Sequence, residues 1–149
     1  MTSTEIGDFH VASKDVPWKE LRDGYHFKLL RTCSVTGTWV ALFRTVAGAS
    51  VPPHKHIGAA EYFVLKGAIE IRGGVKNGGV TARAGDYGYE PNGIIHEKTY
   101  FPEPCEYLFI NHGPLQYLDA EGNTVLVLDW MGVQAKWDDA PVVEQSPNV

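Results

Sequence analysis

Gly48-Ala-Ser-Val-Pro-Pro-His54-Lys-His56 is the stretch whose reading decides this chain. In extended backbone, side chains two apart project to the same side, so His54 and His56 can converge on one ion. An H-x-H pair alone is weak evidence, because histidines also scatter by chance. The pair gains meaning from a second segment, Gly85-Asp-Tyr-Gly-Tyr-Glu90-Pro91-Asn92-Gly93-Ile-Ile-His96. There Pro91 and Gly93 shape a sharp turn into a strand that begins with a histidine. The three imidazoles together make a donor set for a divalent metal.

Working outward from these segments, short runs rich in β-branched and aromatic residues alternate with Gly, Pro and Asn turns. The pattern predicts strands over 27–33, 38–46, 61–66, 68–72, 79–83, 97–101, 106–111, 116–119 and 124–130. Lys76-Asn77-Gly78-Gly79 and Asp119-Ala120-Glu121-Gly122-Asn123 are hairpin connections, since Gly and Asn tolerate the positive φ angles of tight turns. Strands so short and numerous close into a barrel or sandwich, which removes unpaired edges. The first twenty-odd residues are polar and irregular, with Val16-Pro17-Trp18 as an apolar tether, and residues 133–139 can form one short helix before a loose tail from Ala140.

The two quoted segments resemble the paired signatures of the cupin superfamily, G-x5-H-x-H-x3-4-E-x6-G and G-x5-P-x-G-x2-H-x3-N. Gly48, His54 and His56 match the first; Gly85, Pro91, Gly93 and His96 match the second. The resemblance implies an all-β, jelly-roll-type barrel in a single domain: 1–24 an arm packing on the barrel, 25–132 the cupin barrel, 133–149 the helix and tail. Two positions depart from the pattern. Tyr100 replaces the closing Asn, and only five residues separate Glu61 from Gly67, so counting six back from that glycine places the customary glutamate ligand at Ala60. A slip of one residue on a strand sends a side chain to the opposite face. The glycine anchor therefore puts Ala60, Tyr62 and Val64 inside, Glu61 and Phe63 outside, and leaves three histidines as ligands. Counting forward from His56 would instead keep Glu61 as a ligand, because four intervening residues also fit the signature.

From His54 through Ile71-Arg72-Gly-Gly and Tyr87-Gly-Tyr-Glu90 to His96-Glu-Lys-Thr99-Tyr-Phe-Pro102, and on to Gly113-Pro114-Leu115, the chain resembles the acetylacetone-cleaving dioxygenases and their dihydroxyacetophenone-cleaving relatives. That resemblance implies an iron(II) centre held by His54, His56 and His96, with Tyr62, Arg72, Glu90 and Thr99 as polar groups around it. It also implies Tyr107 and Asn111 on the cavity wall. Asn111 and His112 are polar where those relatives have apolar walls. Zinc, nickel or another divalent ion could occupy the same donors in purified protein.

Three neutral imidazoles leave the full double positive charge on the ion, which favours an anionic chelating substrate such as a 1,3-diketone enolate, with dioxygen as co-substrate. Two other readings stand beside this one: a zinc-dependent hydrolase of a diketone-like substrate, and a non-enzymatic metal- or ligand-sensing cupin. A net charge of −5, with no basic run, argues against nucleic acid as a partner. No apolar stretch approaches a membrane span, and MTSTEIGDFHVAS, with two acidic residues and no long apolar run, is expected to be neither a secretory signal nor a transit peptide. Cys33 and Cys105 form no C-x-x-C pair and read as reduced thiols of a cytoplasmic protein. A homo-oligomer, dimer or tetramer, is expected, as is common among cupins.

Overall fold

The computed structural model describes residues 2–3 and 7–143. Its strands are β1 (Thr2–Ser3), β2 (Lys19–Arg22), β3 (Tyr25–Cys33), β4 (Trp39–Thr45) and β5 (Ser50–Val51). They continue with β6 (His54–His56), β7 (Ala60–Lys66), β8 (Ala68–Ile71), β9 (Val80–Arg83) and β10 (Tyr87–Glu90). The last are β11 (Ile95–His96), β12 (Thr99–Tyr100), β13 (Cys105–Asn111), β14 (Leu115–Leu118) and β15 (Thr124–Leu128), followed by the helix α1 (Trp130–Asp139).

A large sheet runs β1-β3-β4-β13-β7-β10, with β2 added beside β3; two four-stranded sheets run β11-β6-β14-β15 and β5-β12-β8-β9. The chain is thus all-β with a jelly-roll arrangement, but the hydrogen-bonded ladders stop short of one closed barrel. Register shifts interrupt the pairing of β2 with β3, β3 with β4, β13 with β7 and β14 with β15. A bulge of this kind bends a strand and increases its twist, letting separate sheets wrap a common interior.

Alternation along the central strands builds that interior. β4 buries Trp39, Ala41, Phe43 and Thr45, and β7 buries Ala60, Tyr62 and Val64 while exposing Phe63 and Leu65. The short strands β5, β6, β10 and β11 carry too few residues for a period of two to announce itself, so the two signature segments are more strand-like than their composition shows. β2 forms where an irregular arm is expected, and its Lys19 bridges to Val142. Trp18 is buried, with Lys28 and Arg44 over its ring.

The helix starts at Trp130 rather than near Val133 because the Asp129 side chain caps it, accepting from Gly132 N–H at 2.8 Å. It closes one end of the interior by burying Val133 and setting Trp137 edge-on to Phe27. The tail expected from Ala140 lies outside the described residues beyond Val143. No helix among the described residues is long and apolar enough to cross a membrane.

Candidate metal centre

β6 is three residues long, so His54 and His56 both turn inward and Lys55 outward. Pairing with β11 sets His96 directly opposite His54, and pairing with β14 sets Tyr117 on its other side. The segment carrying Pro91 and Gly93 is fastened to β6 by backbone bonds: Gly93 N–H donates to His56 O at 2.7 Å and His56 N–H to Ile94 O at 2.9 Å. Asn92 adds a side-chain latch, its Oδ1 accepting from Gly58 N–H at 2.8 Å. The two histidine-bearing segments therefore form one mutually bonded unit.

The result is a buried cluster in which one ring nitrogen from each of His54, His56 and His96 lies within 4.8 Å of the others. His54 Nδ1 faces Pro52 O at 2.8 Å, which fixes this nitrogen as the N–H and leaves Nε2 free to bind an ion. Burial pushes the His54 imidazole down to about 4 and also lowers that of His96. Both rings are thus neutral at pH 7, the form that coordinates metal.

His56 is fully buried, and neither ring nitrogen makes a hydrogen bond to the protein. Its Nε2 lies 3.0 Å from Glu90 Oε2, close enough for an ion pair but misaligned for a hydrogen bond. Buried nitrogens without partners are costly unless something binds them. Three buried imidazoles that bring one ring nitrogen each within 4.8 Å of the others, one ring having no hydrogen-bond partner, are a set that fits a divalent ion.

Ala60 is buried on the inner face between Glu90 of β10 and Asn111 of β13, its partners in register. Glu61 points away from the histidines: its Oε2 meets His112 Nε2 at 2.8 Å, and Tyr87 Oη donates to its Oε1. These bonds, Tyr87 first, hold the Glu61 carboxyl below its usual range. The carboxylate nearest the cluster is instead Glu90, whose Oε1 is also 3.6 Å from His96 Nδ1.

The cavity beside the cluster holds about 700 Å³ of space free of protein atoms, including its open mouth. Tyr62, Glu90 and Thr99 line it with His54 and His96. Tyr62 reaches inward because its cross-strand partner is Gly88, where a Cβ would lie 2.0 Å from the Tyr62 ring. Arg72 is exposed, one residue past β8, and its φ of 54° turns it off the strand's line. Burial lowers the His96 pKa and raises that of Tyr62, and the Arg72 charge adds to the first and opposes the second; Arg72 makes no ion pair with Glu90 among the described residues. Tyr107 lines the cavity; Asn111 is buried opposite Ala60 and is not among the lining residues, while His112 is exposed with Glu61. Asn92, and the contact of Glu90 with His56, carry no signal in the sequence, since both depend on how two distant segments dock.

A jelly roll carrying an H-x-H strand against a third histidine from a Pro-Gly turn defines a cupin metal site. The chain belongs to the family of ChrR cupin-like domains, whose model matches residues 7–116. It is 39% identical over 114 residues to the acetylacetone-cleaving enzyme of Acinetobacter johnsonii, a match spanning 76% of this chain and 74% of that protein. The crystal structure of an acetylacetone dioxygenase from the same organism superposes with a TM-score of 0.87 at 32% identity, covering 93% of this chain and 97% of that one. A proposed acetylacetone dioxygenase of Methylibium petroleiphilum gives 0.86 at 36% identity, over 92% and 99% of the two chains.

Proposed function

We propose that this protein is a non-haem iron(II) dioxygenase that cleaves a carbon–carbon bond of a β-diketone or hydroxyacetophenone-type substrate. The observation that carries the reading is the buried three-histidine cluster with no carboxylate at position 60, in a chain similar along most of its length to acetylacetone-cleaving enzymes. Iron bound by His54, His56 and His96 would supply a Lewis-acidic, redox-active centre with undiminished charge.

The chain's own residues do the rest. Glu90, on the cavity wall and in contact with His56 and His96, steadies both rings and is placed to take the proton that a diketone gives up on becoming an enolate. Tyr62 and Thr99 orient the substrate oxygens, and the Arg72 charge, felt at His96 and Tyr62, biases the site toward anions. The apolar aromatic lining excludes water from the reacting carbon. We place the protein in the cytoplasm as a homo-oligomer, with both cysteines reduced and buried.

Protein loaded anaerobically with iron(II) is expected to consume oxygen in step with loss of a β-diketone, while zinc-loaded protein binds the compound without turning it over, since zinc has no accessible redox change. Product formation by the zinc form under nitrogen would make it a hydrolase. Metal binding without turnover of any diketone or hydroxyacetophenone would favour a sensing role.

A further inference from the structure

The cavity does not end at the histidines. On β3 and β13, Tyr25 and Tyr107 bring their hydroxyls together in a buried hydrogen bond across 82 residues of sequence. Phe43 and Phe101 pack against both rings, and Phe109 against Tyr107. The pair stands one aromatic ring beyond the histidines: Phe109 lies between His56 and Tyr107, with centroids at 6.3 Å and 6.0 Å. Tyr117, 5.9 Å from the His54 ring, lines the same space.

The two hydroxyls carry two protons, one more than their mutual bond uses. Phenylalanine rings offer the other no oxygen acceptor, and no further partner of either hydroxyl is found among the described residues. Burial raises both tyrosines far above the physiological range, so the pair stays a neutral donor. Arg22 sits opposite Tyr25 across the Asp23-Gly24 turn, with its guanidinium 4.3 Å from the Tyr25 ring centroid and bonded to Ser50 O, adding positive potential at that end.

We infer that the Tyr25–Tyr107 hydroxyl pair is a second polar subsite, which receives an oxygen substituent on the substrate end remote from the metal. The substrate is then a chelating ketone whose end remote from the metal carries an oxygen, rather than a small unsubstituted diketone. This rests on the chelating-ketone reading above and narrows it. A pocket built to pair a buried hydroxyl rejects the analogue that lacks it, because the protein's own group is left unpaired.

The test is equilibrium binding by calorimetry to zinc-loaded protein, which needs no turnover. The probes are 1-phenyl-1,3-butanedione and its 4-hydroxyphenyl counterpart. The unaltered protein is expected to prefer the hydroxylated compound by about tenfold, the scale of one buried hydrogen bond. In Tyr25→Phe/Tyr107→Phe the ratio should fall to near one, while Tyr107→Phe alone, which leaves the Tyr25 proton free to donate, should keep the preference. The double variant also supplies the baseline for any effect of the hydroxyl on chelation. Equal affinities in the unaltered protein, or a preference that survives both substitutions, would overturn the subsite while leaving the chelating-ketone reading intact. Binding of neither compound by protein that holds its zinc would overturn that reading and the subsite with it.

Discussion

Metal-free protein should lose stability as the pH falls from neutrality, and His54 should account for a defined part of the loss. Burial lowers its pKa from the ordinary 6.5 to about 4. Below 6.5 the unfolded chain takes up a proton that the folded chain refuses until about pH 4, so stability is complete above the first value and declines toward the second. Linkage over that window gives about 2.5 kcal/mol lost from this one group by pH 4.5, a large share of the stability of a small domain. His96, also lowered by burial, adds to the loss with the same sign. Urea unfolding of chelator-treated protein at about pH 7.5 and about pH 4.5, beside His54→Gln, isolates the term, because carboxylates elsewhere titrate alike in both proteins. The variant should lose about 2.5 kcal/mol less than the parent. Equal losses would refute a buried, neutral His54.

Glu61→Ala should keep its metal, because Glu61 bonds to His112 and Tyr87 on the outer face, whereas Ala60→Glu should alter metal affinity and weaken binding of an anionic diketone; elemental analysis and calorimetry read the two. Gly67→Ala should destabilise the fold by at least about 2 kcal/mol in denaturant unfolding, since its φ is +79° and a Cβ would lie 2.0 Å from Pro104 O. Cys105, buried and pushed up to about 12, first by burial and then by Glu103, should resist thiol reagents in folded protein and react once urea exposes it.

The residues that could be read from the chain alone are those whose placement follows from a local period. Two histidines two apart on extended backbone must share a face, and six residues counted back from Gly67 put Ala60 inside and Glu61 out, where the structure has them. Positions set by docking were hidden. The resemblance puts Glu90 near the centre, but nothing around it in the sequence announces its contacts with His56 and His96, and Tyr25 meets Tyr107 only because β4 lies between their strands. Arg72, which the resemblance puts among the polar groups around the centre, is exposed, with a positive φ just after β8 that takes it off the strand's line. Strands of two or three residues, such as β5, β6 and β11, hold their shape through cross-strand bonds rather than propensity. That is why the strand expected over 97–101 shrinks to β12 while its predecessor appears unannounced.

The central claim is that oxygen, not water, breaks the substrate. Iron-loaded protein turned over with a β-diketone under ¹⁸O-labelled dioxygen in ordinary water, with products analysed by mass spectrometry at short times, tests it most directly. Incorporation of one labelled atom into each of the two carbonyl-containing fragments is the predicted result. Unlabelled products, formed at the same rate when dioxygen is withheld, would contradict the account.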